Sequence, residues 1–475
     1  MFDDILAELE ALRAGDLPTH GGRTLAYVYD SGLAEADELG RRALAMYGST
    51  NGLDPTAFPS LLRMENDLVA MARGLFHGSA DMVGTVTSGG TESILLAVKT
   101  ARDAAGVADP VLVAPSTVHA AFHKACHYFG VERVAVPVDP LTFRADPAAM
   151  AEAMDAHAGR VVLVAASAPS YAHGVVDPIE EIAAVARVRG VRFHVDACIG
   201  GWVLPWADST PEPRRVPPFD FAVEGVTSLS ADLHKYAYTP KGVSLLLHAA
   251  PGLRRDQFFA SADWPGYTML NSTVQSTKSG GPLAAAWAVT RFIGTDGYAR
   301  LTRTALEGTA ALVRGVEEIE HVRVVAEPDS TLVAIAADDT CDVFTIADLM
   351  GERGWFVQPQ MAFAGAPATM HVSLSAATAA SVPDFLATLA VSVEEAVERG
   401  PVTVDEGLRA AAASLDPAAL DDAAFAGLLQ IAGLADASGG LGLPERMAPV
   451  NALLDAAPPR LREALLTAFL DHLTR

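Results

Sequence analysis

Four short segments carry side chains whose types and spacing suit chemistry. In Thr87-Ser88-Gly89-Gly90-Thr91-Glu92-Ser93, two glycines stand just before a helical pattern with apolar Ile94, Leu95 and Val98. Glycines at a helix start let backbone N–H groups approach an anion, and the helix dipole favours negative charge there. The spacing fits neither the phosphate loop of nucleotide hydrolases nor the dinucleotide fingerprint, and alone such a turn more often merely starts a helix. In Phe193-His194-Val195-Asp196-Ala197, alternation places Asp196 at a strand end. Open parallel sheets meet their ligands beyond that end. Alone it is a polar strand end, or the His-x-Asp half of an iron site whose usual β-rich scaffold this chain lacks.

The third segment, Ser228-Leu229-Ser230-Ala231-Asp232-Leu233-His234-Lys235-Tyr236, has Pro240-Lys241-Gly242 behind it. Lys235, after small polar residues and a histidine, has the setting of a Schiff-base lysine, whose amine must be partly deprotonated to react. Alone, an ordinary surface lysine is the commoner explanation. The fourth is His119, His123 and His127, every fourth residue on one predicted helix face. With no Cys or carboxylate at ligand spacing, a solvated or core-edge face explains His123 and His127 better than a metal does. No metal site is expected. The order tells more than any piece. A phosphate-type turn, a histidine, a strand-end Asp and then His-Lys are the parts needed to hold pyridoxal phosphate. The phosphate takes the helix start, Asp196 keeps the ring nitrogen protonated, and Lys235 bonds the aldehyde.

The elements that must position these parts follow from periodicity. Val111–Ala114, Arg133–Val136, Val161–Ala166 and Val191–Asp196 read as strands, alternating with helices over Ala120–Phe129, Pro147–His157 and Ile179–Arg189. Apolar runs without clean alternation suit strands buried on both faces, hence an α/β chain with a mostly parallel central sheet wrapped by helices. After Gly294 a second rhythm begins. It runs through a helix near Tyr298–Glu318, extended Val322–Ala326 and Thr331–Ala336, and a helix around Phe344–Glu352. Extended Trp355–Val357 and Met370–Leu374 and a helix over Val382–Arg399 complete it. The expected organisation is an N-terminal helical segment (1–55), a large α/β domain (56–294), a smaller C-terminal α/β domain (295–400) and a helical appendage (401–475).

Composition bounds the function. The chain has 475 residues, 34 Lys+Arg against 58 Asp+Glu for a net charge of −24, and half of its residues are hydrophobic. A disordered or fibrous chain is excluded. So is a protein that grips nucleic acid or an anionic lipid surface by bulk charge, although one local basic site for a small anion remains open. Cys126, Cys198 and Cys341 are an odd set without paired spacing, which points to a reducing, cytoplasmic setting. The acidic, helical start lacks the form of a signal peptide, and no run approaches the ~18 apolar residues of a membrane span.

The sequence resembles the sphingosine-1-phosphate lyase branch of the pyridoxal-phosphate-dependent group II decarboxylases. The resemblance covers roughly residues 20–400 and rests on Phe58-Pro59 with Arg63-Met64-Glu65, the block Gly84–Asp103, His119–Ala125, and Ser167-Ala168-Pro169 with His173–Pro178. It continues in HVDACIGGW (His194–Trp202), and GVTSLSADLHKYAYTPKG (Gly225–Gly242) is its most specific run. It implies the type I, aspartate-aminotransferase-like fold of pyridoxal enzymes. It further implies that Lys235 bonds the cofactor, Asp196 pairs with the pyridine nitrogen, His119 stacks on the ring, and Gly90, Thr91 and His234 hold the phosphate. Ser276 and Thr277 match a segment that in the family reaches the other subunit's cofactor, which implies a homodimer with shared sites.

Tyr29, Tyr171 and Lys241 match residues that in the lyases gather round the substrate's phosphate, and Lys241 is the lyase-like mark that amino-acid decarboxylases usually lack. Asp54 departs from the pattern, standing where the lyases typically have a histidine that contacts phosphate. Like-charge repulsion there would be on the order of a few kcal/mol at an effective dielectric of ~20. The Gly-Ser-Arg-Ser-Gly run reads Ser276–Gly280 here, and the glycine after His-Lys-Tyr is Ala237. The implied activity is cleavage of the Cα–Cβ bond of a β-hydroxy amine, such as a phosphorylated long-chain base, to an aldehyde by retro-aldol chemistry. Amino-acid decarboxylation is the alternative that Asp54 keeps open, and a cofactor-binding paralogue without turnover is a third reading.

Overall fold

The computed structural model describes every residue except 210–215, 405, 418–419, 421–424, 426, 428–443 and 475. The runs of β-branched and small apolar residues become strands with nearly every side chain buried. They are β1 (Val83–Thr87), β2 (Val111–Pro115), β3 (Glu132–Val136), β4 (Val161–Ser167), β5 (Arg192–Asp196), β6 (Ser228–Asp232) and β7 (Ser244–His248), with β3 the more exposed edge strand. They form one seven-stranded sheet in the order β1-β7-β6-β5-β4-β2-β3. Strands β6, β5, β4, β2 and β3 pair in parallel, and β7 runs antiparallel to both β1 and β6. This is the mostly parallel sheet wrapped by helices that the sequence predicts.

Helices cross between the parallel strands where the 3.6-residue period predicts them, at Ala120–Phe129, Pro147–Ala156 and Ile179–Val188. Asp146 caps the second by accepting from the amides of Ala148 and Ala149. Gly130 ends the first with φ 63°, a left-handed turn that costs glycine nothing. The main core lies on one face of the sheet and includes Phe76, Trp202, Tyr236 and Tyr298 among its largest buried side chains, while a smaller cluster with Ile94, Leu112 and Phe122 covers part of the other face.

A second apolar cluster lies under a four-stranded antiparallel sheet, in spatial order Val322–Val324, Leu332–Ala337, Thr369–Ser373 and Gln358–Gln360. The helices Val343–Glu352 and Val382–Arg399 pack on it. Leu25 joins this cluster, its amide donating to Phe356 O at 2.9 Å and its carbonyl accepting from Ser373 N at 2.6 Å, so the N-terminal segment is stitched to the small sheet. Two elements differ from expectation. The helix near Tyr298 begins earlier, at Gly281, and is interrupted by the non-helical Gly294 (φ 61°, ψ 175°). The strand expected at Trp355–Val357 forms at Gln358–Gln360 instead, because Trp355 and Val357 are buried in the second core. The reading of 401–475 falls partly outside the described residues; within them, Glu406–Ser414, Ala448–Ala456 and Pro459–Leu473 are helical.

Asp177 fixes the loop that leaves β4. It is fully buried, and its two carboxylate oxygens accept from Ala145 N at 2.9 Å and Ser167 N at 2.8 Å. Burial pushes its carboxyl up to about 6. One residue earlier in the loop, Val176 N donates to Asp329 Oδ2 at 2.7 Å, and Arg144 pairs with the same oxygen, tying this loop to the small sheet's approach. Asp177→Ala therefore strands two buried amides, at about 1–3 kcal/mol each. A clearly lowered urea midpoint is expected, and an unchanged one would show that the loop is held otherwise.

Candidate active site

The carboxyl ends of β1, β4, β5 and β6 open onto one cavity of about 360 Å³. Gly90, Thr91, His119, Tyr171, Asp196, His234 and Lys235, all singled out from sequence, line it together. The helix Gly90–Ala105 starts directly past β1 with Gly89 at its N-cap and no side-chain cap, so its first turn keeps amides for an anion. Glycine at 90 has a steric reason: a Cβ there would lie 2.9 Å from both Asp232 carboxylate oxygens and 2.6 Å from Cys198 Sγ.

Asp196 is 7% exposed at the end of β5, and its Oδ1 accepts from Cys198 N at 3.1 Å and from Ser230 Oγ at 3.4 Å. Lys235 Nζ lies 2.9 Å from Asp232 Oδ2, and Asp232 is only 2% exposed. Burial works against the ammonium, but Asp232 and its hydrogen bond outweigh this, and the lysine's pKa is raised. Asp232 is pulled the opposite way: burial opposes its charge, yet the Lys235 ammonium holds its carboxyl below the usual range.

Two histidines flank this pair in defined tautomers. His119 caps the helix Ala120–Phe129, its Nδ1 accepting from Ala121 N at 3.2 Å, and the loss of water around the ring lowers its pKa against the pull of Asp196. His234 Nδ1 accepts from Val243 N at 3.2 Å, which leaves the ring's proton on Nε2, 3.6 Å from Asp232 Oδ2. Both imidazoles are thereby kept neutral. His123 and His127 lie exposed on their helix, apart from the cavity lining.

At the mouth, Lys241 Nζ donates to Tyr27 O at 3.0 Å and His234 O at 3.3 Å and sits 4.8 Å above the Tyr29 ring. Although the side chain keeps an exposed flank, desolvation of its ammonium and then the nearby Lys235 bring its pKa down to about 8. Tyr29 packs edge-on against Tyr236 at 5.0 Å. Tyr171 stacks on the buried His371 at 4.2 Å and donates its hydroxyl to Gln358 Oε1 at 2.7 Å.

Five expected residues stand apart from this lining: Tyr29 and Lys241, which lie together beside His234, and Asp54, Ser276 and Thr277. Asp54 lies on an exposed turn whose own Thr56 amide, Thr56 hydroxyl and Ala57 amide occupy its Oδ1. Ser276 and Thr277 lie just past Val274 and Gln275, whose amides donate to Glu92 Oε1 at 2.9 and 3.4 Å. Glu92, Asp232, Gln358 and His371 were not singled out from sequence. Asp232 ends β6 as Asp196 ends β5, so the strand-end signal covered it too; Gln358 and His371 carry no local signal.

These residues fit pyridoxal phosphate. A helix start kept open by glycine, a buried strand-end carboxylate and a lysine amine share one cavity. Asp232 Oδ1 is buried in it without a hydrogen-bond partner. Comparisons with known proteins agree. A model of the pyridoxal-dependent decarboxylase conserved domain matches residues 39–337, and one of a pyridoxal-dependent enzyme C-terminal putative HTH domain matches residues 406–472. The sphingosine-1-phosphate lyase of Arabidopsis thaliana is 36% identical over 414 residues, 84% of this chain and 74% of that protein. That of Dictyostelium discoideum is 34% identical over 376 residues, 79% of this chain and 69% of that one. The solved sphingosine-1-phosphate lyase of Burkholderia pseudomallei is 32% identical and superposes with a TM-score of 0.78, covering 84% of this chain and 92% of that chain. Lys235→Ala should remove the visible absorption that appears when pyridoxal phosphate is added to the protein. Retention of that band would move the covalent role to another lysine.

Proposed function

The chain belongs to the pyridoxal-dependent decarboxylase family, in its sphingosine-1-phosphate lyase branch, and on that premise we propose that it cleaves the Cα–Cβ bond of a phosphorylated long-chain β-hydroxy amine. It is a pyridoxal-phosphate-dependent lyase. The cofactor, once bound, supplies an aldehyde that condenses with amines and a ring that takes up the electron pair released at Cα. Gly90 and Thr91, with the Nε2 proton of His234, would hold its phosphate. Asp196 would pair with the ring nitrogen, His119 would lie against the ring, and Lys235 would supply the amine that bonds the aldehyde.

Lys241 is the observation that carries the substrate assignment. Its ammonium is fixed by two carbonyls beside Tyr29, and among the described residues no carboxylate lies within ion-pair distance of it. A cation so anchored is built to meet an anion, and a terminal phosphate is the anion this branch of the family handles. Tyr29 and Tyr171 stand with it, the latter oriented by Gln358 and His371. Asp54, which kept amino-acid decarboxylation open, has its Oδ1 engaged in its own turn outside the cavity, so it does not oppose phosphate binding there. A phosphorylated β-hydroxy amine has no carboxylate to lose. Orientation therefore weakens the bond from Cα to the hydroxyl-bearing Cβ: a base would take the hydroxyl proton, the oxygen would form the aldehyde carbonyl, and the pair of the broken Cα–Cβ bond would stay at Cα.

We further infer a homodimer. Ser276 and Thr277 stand outside their own chain's cavity, and the N-terminal helix Phe2–Leu12 leaves Phe2, Ile5, Leu9 and Leu12 exposed. A second copy would cover that stripe and receive those hydroxyls. Residues 406–472 hold nine acidic residues against four arginines, which supports a role without nucleic acid despite the family model's name. No helix among the described residues is long and apolar enough to cross a membrane. The three unpaired cysteines support a cytoplasmic location.

Incubating the cofactor-loaded protein with sphinganine 1-phosphate should release phosphoethanolamine and hexadecanal, identified by mass spectrometry. A loaded protein that yields neither would overturn the substrate reading. Lys241→Met should raise KM for this substrate by about 10–100-fold, the loss of a charge-assisted contact of ~1.5–3 kcal/mol. Lys241 is charged below its lowered pKa of about 8 and neutral above it, so wild-type KM should climb as pH rises through that value. The Lys241→Met variant should lack this rise; parallel profiles would place the phosphate contact elsewhere.

A further inference from the structure

Asp232 does what neither Asp196 nor Asp177 does. Both oxygens of Asp177 are taken by backbone amides, so its carboxylate is a structural clamp. Asp232 is as deeply buried, yet its Oδ1 has no hydrogen-bond partner and its Oδ2 faces the Lys235 ammonium at 2.9 Å. The phosphate-type turn is shaped around it, since only a glycine at 90 leaves room for the two carboxylate oxygens. A carboxylate this close to an anion site is costly unless a cation matches it. We propose that Asp232 is the counter-ion of the Lys235 nitrogen, holding the free amine as an ammonium and keeping a proton on that nitrogen once it is joined to the cofactor.

The other groups facing the pair cannot take this role. His119 and His234 each have Nδ1 committed as acceptor of a backbone amide, so neither ring offers a positive charge without breaking that bond. Burial keeps the Tyr29 hydroxyl and the Cys198 thiol protonated. Lys241 is tied to two carbonyls at the mouth. Asp196 Oδ1 accepts from Cys198 N and Ser230 Oγ, and its carboxylate makes no ion pair with Lys235. Asp232 is thus the one carboxylate in contact with Lys235 among the described residues. In a buried ion pair the proton affinity of the lysine nitrogen depends on the carboxylate that faces it.

The inference rests on Lys235 being the residue that bonds the cofactor, and the two can fail separately. In the cofactor-loaded protein, the visible band should titrate in Asp232→Asn at a midpoint about 1–3 pH units below that of wild type. Asp232→Glu should bring it back toward wild type. In the cofactor-free full chain, Lys235 should react with acetic anhydride about tenfold faster in Asp232→Asn at fixed pH, read by peptide mapping. A wild-type midpoint in Asp232→Asn overturns the proposal. If that variant does not take up the cofactor, an unchanged labelling rate overturns it, and if it does not fold, the same two readings are taken on Asp232→Ala, where a wild-type midpoint or labelling rate overturns it. A merely structural Asp232 would change stability and leave both the midpoint and the labelling rate in place. Persistence of the band in Lys235→Ala would instead overturn the lysine assignment itself.

Discussion

Parallel pairing of β4, β5 and β6 is the constraint on which the site depends. In register, Ser167 stands beside Asp196, and Asp196 beside Ser230, so the ends of three strands deliver their polar groups to one edge of a sheet whose interior is apolar. That edge has little water and a low dielectric, which makes each charge there expensive alone and strongly felt by its neighbours. The site answers with matched groups: Lys235 against Asp232, hydrogen-bond donors on Asp196, and histidines held neutral by backbone amides. Charge in this cavity is apportioned by the backbone as much as by the side chains.

The antiparallel strand β7 completes that edge. Its Ser244 stands opposite Asp232 in the ladder and joins Ser93 and Thr87 in a buried chain of hydroxyls, at 3.0 and 2.7 Å. Ser93 belongs to the helix whose start forms the phosphate-type turn. The lysine-bearing strand end and the anion turn are thus bound to each other through the core, and neither can shift without breaking buried hydrogen bonds.

What could be read from the chain in advance follows from where each signal is stored. Strands β2, β4 and β5, the helices between them, Asp196 and Lys235 are each written within a few consecutive residues, by apolar runs, caps and strand-end position. The substrate-side support is not. Tyr171 and Gln358 lie 187 residues apart, and His371 reaches Tyr171 only because the small sheet lies against the loop after β4. No local pattern announces a glutamine as the partner of a tyrosine that distant. Asp232 is the opposite case: it lies three residues before Lys235 in the same segment, and its place at the end of β6 becomes plain once that strand pairs with β5 and β7. Family resemblance supplied roles for the matching positions and nothing for these four: Glu92, Asp232, Gln358 and His371.

Glu92 shows how such an unmarked residue can join two functions. It stands in the first turn of the helix Gly90–Ala105, where an acid suits the dipole, and its Oε2 accepts from Ser88 N at 2.7 Å within the phosphate-type turn. Its Oε1 takes the amides of Val274 and Gln275. Those two residues lead directly into Ser276 and Thr277, the pair read as reaching a second subunit's cofactor. A single buried carboxylate therefore holds both the phosphate-type turn and the start of the segment that carries Ser276 and Thr277. Separate anchors would let these two parts move independently. A shared one makes the geometry of the turn and the placement of Ser276 and Thr277 change together.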